Sequence, residues 1–437
     1  MRKPARSTTV AYVLKGFPRL SETFIASEIY RLERQGLALR LFILKRSAEP
    51  VVHSISNAIE AAQVFLPQAE AISDMSVAQW LSEHAGRFSK PLLRQIRRNP
   101  ARTLNAAWQA FAHAVRARKG TWAWPRKSPL KEFLQAAALA DAIHDAGDVR
   151  HLHAHFCHSA TTVAWLASIM TALPMSFTAH AKDLYCESLN PAGLLDRKLA
   201  AARFVVTCTD AARGFLQART STPVKCVYHG LDVEFARMCG DAVARRSSGS
   251  TINVLSVGRL VRKKGHDVLI EACALLRRRG FAVRLRIVGE PDDHEAALRA
   301  LVAARRLGAE VAFAGVMSRQ DLFQEYMRAD VFCLPCRVLE NGDRDGIPNV
   351  VAEAMACRVP VVTTNVSGLP ELLEHGVHGM LVPPDDPGAV ADAIARLHID
   401  PAFRHQLAER ARVRIQEAFD GDVSVRALSA MLEQGVA

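Results

Sequence analysis

Residues 340–357 read Glu-Asn-Gly-Asp-Arg-Asp-Gly-Ile-Pro-Asn-Val-Val-Ala-Glu-Ala-Met-Ala-Cys and are the most informative segment of the chain. The apolar run over residues 330–335 predicts a strand before this segment, and Pro348 is tolerated in the first turn of the helix that follows. A loop between strand and helix aims backbone N–H groups and the positive end of the helix dipole at one place, which suits an anion. Asp345 and Glu353 flank that place, and carboxylates accept hydrogen bonds from sugar hydroxyls. Taken alone, the segment is equally compatible with an ordinary strand–helix turn that carries a solvated acidic loop.

The length and composition of the chain predict two globular domains. At 437 residues it is long enough for two domains of about 200 residues each. An apolar fraction of 49% and a charged fraction of 23% exclude the disordered and collagen-like classes. No apolar run reaches the length of a signal-peptide core or of a membrane span. The nine cysteines are scattered and odd in number, which is typical of reduced thiols, and we therefore expect a cytoplasmic protein.

The positive charge of the chain is concentrated in one segment. Between residues 87 and 131 there are twelve basic residues and no acidic residue, which equals the net charge of +12. These are Arg87, Lys90, Arg94, Arg97, Arg98, Arg102, Arg116, Arg118, Lys119, Arg126, Lys127 and Lys131, with Trp108, Phe111, Trp122 and Trp124 interleaved. Polybasic helices with tryptophan suit an anionic membrane surface. Nucleic acid is the other common partner of such a patch, and a solvated basic face is a third explanation.

Strand-like and helix-like runs alternate twice along the chain. Residues 9–14 predict a buried strand, and the helix and second strand that follow make a βαβ opening, which implies a parallel sheet. A largely helical stretch over about residues 55–145 precedes the rest of this first alternation. A second alternation begins at Ile252, after the polar and weakly periodic residues 236–251, which we interpret as a linker.

This organisation predicts one Rossmann-like domain over residues 1–240, with the basic helical insertion at about 50–145, and a second over residues 250–410. The C-terminal helices over 411–437 are expected to pack back toward the first domain. Ligands of doubly wound sheets bind beyond the carboxyl ends of the strands, so two such halves imply a cleft between them onto which both sheets open.

Two cations stand at the first strand end of the second half. Arg259 and Lys264 lie five residues apart across a loop bounded by glycines. They suit a diphosphate, because arginine forks onto phosphate oxygens while lysine acts as a point charge. A solvated basic turn is the alternative explanation of this loop, and we interpret the neighbouring Arg262 and Lys263 as no more than solvated cations. Gly289 occupies the next strand end.

The first half has fewer candidates at its strand ends. Gly16 lies in the predicted turn after the first strand, and His180 ends a strand whose tip, residues 178–183, collects several polar groups. Neither a P-loop signature nor a Gly-x-Gly-x-x-Gly fingerprint occurs, which argues against kinases and most dehydrogenases. Asp343 and Asp345 form an Asp-x-Asp pair of the kind that a metal-bound diphosphate needs, but the helix that follows favours sugar contact instead.

Together these residues resemble glycosyltransferase family four, a family of retaining enzymes with the GT-B fold. The resemblance rests on Gly258-Arg259-Leu260-x-x-x-Lys264-Gly265, Asp345-Gly346-Ile347-Pro348-Asn349-x-x-x-Glu353, residues 362–372, residues 376–384 and Phe177-Thr178-Ala179-His180-Ala181-Lys182-Asp183, in that family's order. The opening loop, Phe17-Pro18-Arg19-Leu20-Ser21-Glu22-Thr23-Phe24, is similar to that of the exopolysaccharide branch, which includes colanic-acid-type enzymes. The resemblance covers nearly the whole chain and is weakest over residues 50–145.

The resemblance implies a role for each candidate residue. The donor-binding residues are then Gly16, Gly258, Arg259, Lys264, Gly289, Gly346, Ile347, Pro348, Asn349 and Glu353, and the residues that act in the reaction are His180, Arg259, Lys264, Asp345 and Glu353. Arg259 and Lys264 would bind the donor diphosphate, Asp345 the donor sugar and Glu353 the ribose hydroxyls, while His180 would stabilise or orient the sugar. No metal and no cofactor are expected, because arginine and lysine supply the positive charge.

The chain departs from the family pattern at two places. Asp345 is shorter by one methylene than the usual glutamate, so its sugar contact is expected to be displaced or mediated by water. Gly16-Phe17-Pro18 replaces the usual Gly-Gly opening loop, which leaves fewer N–H groups for the phosphate and a bulkier acceptor side.

We therefore expect an α/β protein of the GT-B fold, with two Rossmann-like domains facing each other across a cleft. By the resemblance it is a retaining hexosyltransferase that moves a sugar from a nucleotide-diphosphate sugar to a saccharide acceptor, either free or lipid-linked, in exopolysaccharide or cell-envelope glycan synthesis. It would work at the cytoplasmic face of the membrane, with residues 87–131 against anionic lipid and no nucleic acid partner. Two alternatives stay open, a nucleotide-sugar epimerase of the same fold and a non-catalytic basic binding protein.

Overall fold

The computed structural model describes residues 9–19, 23–46, 54–72, 75–118, 120, 122–231, 233–240 and 249–436. They form two compact units, each built around one parallel β-sheet. The first unit comprises the chain up to Cys208, residues 212–227 and the chain from Val425 onward, and the second comprises residues 209–211 and Tyr228–Ser424. The two Rossmann-like α/β domains predicted from the sequence are confirmed.

The first unit is built on a seven-stranded sheet. Its strands are β1 (Thr9–Phe17), β2 (Leu39–Arg46), β3 (Ala62–Phe65), β4 (Val149–His155), β5 (Met175–Ala179), β6 (Val205–Thr207) and β7 (Val224–Cys226). The helices along this part of the chain are α1 (Thr23–Arg34), α2 (Ser54–Asn57), α3 (Val77–Arg98), α4 (Pro100–Arg116), α5 (Ser128–Ala146), α6 (Ser159–Thr171), α7 (Ala181–Tyr185), α8 (Leu194–Ala201) and α9 (Asp210–Gln217). The strand order is β3-β2-β1-β4-β5-β6-β7, and the strands pair in parallel.

The second unit is built on a six-stranded sheet. Its strands are β8 (Thr251–Val257), β9 (Ala282–Val288), β10 (Val311–Phe313), β11 (Val331–Leu334), β12 (Val361–Thr364) and β13 (Met380–Val382). The helices along this part of the chain are α10 (Val233–Gly240), α11 (His266–Arg278), α12 (Glu295–Ala304), α13 (Arg319–Arg328), α14 (Asn349–Ala356), α15 (Leu369–Leu372), α16 (Pro387–Ile399) and α17 (Pro401–Ala418). The last helix, α18 (Gly421–Val436), belongs to the first unit from Val425 onward. The parallel strands run in the order β10-β9-β8-β11-β12-β13, so the chain reverses direction across the sheet between β8 and β11. The loops after these two adjacent strands therefore lie side by side, where ligands of such sheets bind.

Alternate residues of the central strands enter two separate cores in the second unit. Val254 and Val331 pack with α11 and α16, whereas Leu255 and Phe332 pack with residues of α13, α14 and α17. Successive side chains of a strand point to opposite faces, so strands covered by helices on both faces must be apolar throughout. This is why runs of consecutive apolar residues predicted these strands correctly.

Four features differ from the sequence predictions. Gly16 lies inside β1, paired with Lys45 of β2, and not in a turn. A short strand, β3, lies within the stretch that was predicted to be largely helical, and its mostly exposed residues lack the apolar pattern of a buried strand. Residues 233–240 form α10, although the periodicity there is weak. The units divide at Tyr228, before the linker expected at residues 236–251, because α10 packs into the second unit, with the Phe235 ring 5.5 Å from that of Tyr326.

Candidate functional site

The predicted strand–loop–helix segment forms one side of a site in the second unit. It comprises β11, a polar loop and α14, and Pro348 stands at the helix N-cap with a φ of −64°. Gly346, Ile347 and Asn349 lie at this helix start, so the N–H groups of its first turn face away from the helix, beyond the end of the sheet. The backbone N–H groups at this helix start could bind an anion even without a positively charged side chain.

A second loop brings two lysines to the acidic residues of the first loop. The short 3₁₀ turn Arg262–Lys264 follows β8, and the Lys264 Nζ lies 2.6 Å from the Asp345 Oδ2. The Lys263 Nζ lies 3.1 Å from the Asp345 Oδ1 and 3.0 Å from the Asp343 Oδ1. The side chain of Lys263 is only 8% exposed, so the prediction that it is solvated was wrong.

This arrangement changes the acid–base properties of Asp345 and Lys263. Burial alone would raise the pKa of the Asp345 carboxyl, but the charges of Lys264 and Lys263 outweigh burial and hold its pKa well below the usual range. Burial would lower the pKa of Lys263, and the charges of Asp345 and Asp343 outweigh it, so that this pKa is raised. Asp345 is therefore ionised and Lys263 is charged at neutral pH.

Close backbone contacts, which require glycine, hold the loops of the site together. A Cβ added at Gly289 would lie 2.0 Å from the carbonyl oxygen of Gly258, and one added at Gly265 would lie 1.9 Å from that of Pro335. Gly265 also has a φ of +70°, a left-handed conformation that glycine adopts without strain. Only glycine allows the loops after β8, β9 and β11 to approach this closely. The predicted positions Gly258 and Gly289 thus lie against one another.

Glu353 lies on α14 and is held by two residues that the sequence did not single out. Its Oε1 is 2.7 Å from the Arg319 Nη1, and its Oε2 accepts a hydrogen bond of 3.1 Å from the Tyr326 hydroxyl. Burial, reinforced by the Glu353 charge, raises the pKa of Tyr326, so its hydroxyl stays protonated and donates. Arg319 also stacks over Phe235, with 5.3 Å between the guanidinium carbon and the ring centroid. Glu353 is only 2% exposed, so these two side chains replace water as partners of its carboxylate.

Arg259 lies at the open side of the site. Its side chain is 44% exposed and pairs with Asp292 at 3.1 Å. Among the predicted charged residues of the second unit, the structure therefore brings Lys264 and Asp345 into contact, whereas Arg259 and Glu353 pair with residues not identified from the sequence. Asp292 and Arg319 follow no motif spacing, and their positions in loops and helix starts gave no signal of these pairs.

His180 occupies the corresponding strand end in the first unit. It forms the N-cap of α7, its backbone N–H donates to Asp183 at 3.0 Å, and its side chain accepts from the backbone N–H of that residue. Phe156 and Phe24 lie 4.4 and 5.3 Å from its ring, measured between centroids. Burial raises the pKa of Asp183 to about 6 although several hydrogen bonds act to lower it. The imidazole is thus fixed by packing and capping at the end of β5.

A row of buried histidines on β4 was not identified as a unit from the sequence. His151 and His153 both contact the Ser176 hydroxyl at 2.7 Å, and the His155 Nε2 lies 2.7 Å from the Glu28 Oε1. Their alternate spacing places all three on one face of the sheet, which is the signal that identifies them in retrospect. Burial lowers the pKa of His151 to about 4, so this histidine is neutral at neutral pH.

The basic segment forms part of the first unit, and half of its cations are engaged there. The cations whose side chains make hydrogen bonds or ion pairs are Arg87, Arg94, Arg98, Arg126, Lys127 and Lys131. Arg94 and Arg98, for example, contact the buried Asp141 of α5 at 3.0 and 2.6 Å. The exposed cations without such bonds are Lys90, Arg97, Arg102, Arg116 and Arg118, while Lys119 lies outside the described residues.

Exposed apolar side chains accompany these exposed cations. Leu104, Trp108 and Phe111 are 72%, 62% and 57% exposed, and their spacing of four and three residues places them on one face of α4. We call these three residues the α4 stripe. Trp122 and Trp124, which follow α4, are 98% and 92% exposed. Among the described residues, no helix combines the length and the apolar character that crossing a membrane requires.

The chain is similar to known proteins over most of its length. Residues 244–414 match the protein family described as Glycosyl transferases group 1. The chain is 27% identical to the Putative colanic acid biosynthesis glycosyltransferase WcaL of Salmonella typhimurium, over 97% of this chain and 99% of that protein. It is 31% identical to the D-inositol 3-phosphate glycosyltransferase of Kribbella flavida, over 64% of this chain and 70% of that protein. Among solved structures, Anabaena Alr3699/HepE in complex with UDP has a TM-score of 0.67 at 16% identity, covering 98% of this chain and 100% of that one.

Proposed function

The chain belongs to the group 1 glycosyl transferases, and on that premise we propose that it moves a sugar from a nucleoside-diphosphate sugar to a saccharide acceptor. The membership confirms the glycosyltransferase activity predicted from the motifs, and it favours neither the epimerase nor the non-catalytic binding protein. A role in exopolysaccharide or cell-envelope glycan synthesis is supported by the similarity to a protein named for colanic acid biosynthesis.

The proposal rests on one observation, that Lys264 and the start of α14 both lie beyond the ends of two adjacent strands. Lys264 follows β8 and the first turn of α14 follows β11, and these strands are neighbours at the point where the strand order reverses. A nucleoside diphosphate that leaves the sugar carries concentrated negative charge. An ammonium group and fixed N–H dipoles stabilise that charge in the transition state, which is the largest contribution expected of this site. Arg259, at the exposed edge, would add a fork of donors to the same diphosphate.

Glu353 is assigned to the ribose of the donor. Both of its oxygens already have partners, Arg319 and Tyr326, but each carboxylate oxygen has two lone pairs and can accept a further hydrogen bond from a hydroxyl. Arg319 and Tyr326 then serve to hold the carboxylate in place while it binds the sugar hydroxyls. Asp345, with the backbone of Gly346, Ile347 and Pro348, is assigned to the transferred sugar.

We propose that the transferred sugar keeps its configuration because the acceptor attacks the face of the sugar from which the diphosphate leaves. The bond between the sugar and the diphosphate oxygen breaks, the acceptor oxygen attacks the same face, and the departing phosphate oxygen takes the acceptor proton. No group of the protein needs to act as a nucleophile in this scheme. His180 is assigned to orienting the donor sugar, which the packing of its ring against Phe156 and Phe24 suits.

The proposal is tested by transfer and hydrolysis assays with the donor identified beforehand. Nucleotide sugars are screened by thermal shift, because a ligand that binds only the folded state raises the melting temperature. We expect Lys264→Ala and Glu353→Ala each to lower turnover by about 100-fold or more, the usual effect of removing one group that stabilises a transition state. Arg262→Ala, which removes an exposed cation from the same turn, is the matched control. Unchanged turnover in the first two variants would exclude this site as the donor site.

We further propose that the first unit binds an anionic membrane surface through the α4 stripe and the exposed cations of the same basic segment. Such a surface would hold the protein near a lipid-linked acceptor. Arg97, Arg102 and Arg116 are exposed and carry the attraction to anionic headgroups, while Trp108 and its neighbours enter the interface. Arg94 and Arg98 are excluded from this role because they neutralise the buried Asp141.

Binding to vesicles tests this second proposal. Replacing Arg97, Arg102 and Arg116 by glutamine removes three charges worth about 1 kcal/mol each, so partition into vesicles rich in phosphatidylglycerol should fall about 100-fold. The matched control replaces Arg34, Arg150 and Arg203, which are exposed elsewhere on the same unit, and should change partition much less. Equal binding by both triple variants would refute a specific docking surface.

A further inference from the structure

Asp343, Lys263, Asp345 and Lys264 form an alternating row of charges in the second unit. The three contacts along the row are 3.0, 3.1 and 2.6 Å long, and each oxygen of Asp345 contacts a different lysine. All four side chains are at most 20% exposed. Because water screens such contacts poorly, each of these charges depends strongly on its immediate neighbours.

The row creates a competition for Lys264. The proposed function assigns this ammonium group to the donor diphosphate, yet in the structure it contacts the Asp345 carboxylate. A diphosphate at Lys264 would repel Asp345, since both are anionic. Donor binding therefore requires that Asp345 loses its contact with Lys264 while another cation stays beside it. A carboxylate left without any partner at this depth would cost more than the new contact gains.

We propose that Lys263 is the positioning residue that meets this requirement, so that Asp345 acts as an internal competitor which the donor diphosphate displaces from Lys264. The inference rests on the proposed function, because it takes Lys264 as the diphosphate-binding residue. Lys263 contacts the oxygen of Asp345 that Lys264 does not use, and it keeps that contact when Lys264 turns to the phosphate. The displaced carboxylate is then free on its other oxygen to accept a hydrogen bond from the donor sugar.

The surroundings of Lys263 fit a fixed position and not a mobile one. Its ammonium group is also bonded to Asp343, and its backbone carbonyl accepts a hydrogen bond of 2.9 Å from the N–H of Arg337. Arg262 precedes it in the same turn, is exposed, and provides a control with the same charge.

The test measures the affinity of a nucleoside diphosphate by calorimetry at fixed ionic strength. The probe is whichever of UDP, GDP, ADP and dTDP binds the unmodified protein most tightly. Asp345→Asn removes the competitor and should raise the affinity about tenfold, although turnover falls because the sugar contact is lost. Lys263→Met leaves Asp345 with Lys264 alone and should lower the affinity about tenfold, with KM for the donor rising far more than kcat falls. Lys263→Arg should restore most of the affinity, and Arg262→Met should change it less than about twofold.

The double variant Lys263→Met/Asp345→Asn distinguishes a Lys263 that acts by positioning Asp345 from one that contacts the diphosphate directly. If Lys263 acts through Asp345, its removal has no further effect once Asp345 is neutral, and the double variant binds as tightly as Asp345→Asn. If the tenfold loss persists in the double variant, or if Asp345→Asn does not tighten binding, the inference is overturned. The proposed function fails separately. It is refuted if Lys264→Met does not weaken binding, or if none of the four diphosphates binds the unmodified protein.

Discussion

The pairing of Arg319 with Glu353 leads to a sharp prediction about stability. Arg319→Met keeps most of the aliphatic stem and removes the guanidinium group that contacts the Glu353 Oε1 at 2.7 Å. The Glu353 side chain is 3% exposed, so water cannot replace the lost partner. One hydrogen bond, from the Tyr326 hydroxyl, would remain. We therefore expect the variant to fold with a strained, largely uncompensated carboxylate in the core of the second unit.

The size of the effect follows from this geometry. Removing one partner of a buried ion pair costs about 3–5 kcal/mol, and the remaining tyrosine bond places this case near the lower end. Loss of the contact between Arg319 and the Phe235 ring adds up to about 1 kcal/mol. In a unit of this size, 3 kcal/mol corresponds to a fall of about 6–12 °C in the melting temperature.

Scanning calorimetry of the full chain measures this change in the transition of the second unit. Arg328→Met is the control, because Arg328 lies on the same helix, is 70% exposed, and should contribute no more than about 0.5 kcal/mol. Adding Glu353→Gln to Arg319→Met should recover part of the loss, since no buried charge then remains unpaired. A melting temperature for Arg319→Met no lower than that for Arg328→Met would refute the reasoning.

Two further predictions concern the loops of the same unit. Burial, reinforced by the Lys264 charge, lowers the pKa of His266 from 6.5 to about 4. As the pH falls, the unfolded chain binds a proton at His266 before the folded chain does. The contribution of neutral His266 to stability is therefore fully present above pH 6.5 and is lost as the pH falls to 4. In acid-unfolding curves, His266→Gln should reduce the fall in the free energy of unfolding over this range by on the order of 3 kcal/mol. Gly289→Ala should cost about 1–3 kcal/mol and abolish nucleotide binding, because its Cβ would lie 2.0 Å from the carbonyl oxygen of Gly258. Gly308→Ala, at a position with open space, is the control for calorimetry and should change stability by less than about 1 kcal/mol.

The fold was predictable because its central strands are buried on both faces. Segments such as Val331–Leu334 are uniformly apolar and lie between helical patterns, and only a parallel sheet covered on both sides accounts for this. The errors fall where that reason does not apply. Within the described residues, β3 pairs with β2 alone, and three of its four residues are exposed, so its sequence pattern is that of a loop. α10 was missed because it is short and buries few residues, Phe235 and Cys239.

The positions of the candidate site residues were predictable where motifs place them at strand ends, and their partners were unpredictable where these come from elsewhere in the fold. Lys264 and Asp345 lie in two loops that the reversal of strand order brings together, so their contact follows from topology. Glu353 and Arg319 lie 34 residues apart on different helices, and their contact depends on how α13 and α14 pack. Sequence spacing within one helix carries no information about that packing.

Asp345 shows how a side chain that is shorter by one methylene makes the neighbouring cations important. From the sequence, its shorter side chain predicts a displaced sugar contact, and Lys263 looked like one more solvated cation. In the structure the carboxylate lies between Lys263 and Lys264, and the 3₁₀ turn Arg262–Lys264 directs both ammonium groups inward while Arg262 stays exposed. If Lys264 binds the donor diphosphate as proposed, this short carboxylate can reach the donor sugar only when Lys264 leaves it. Under the proposal made above, Lys263 stays with the carboxylate and sets how tightly the donor must bind before Asp345 can contact the sugar.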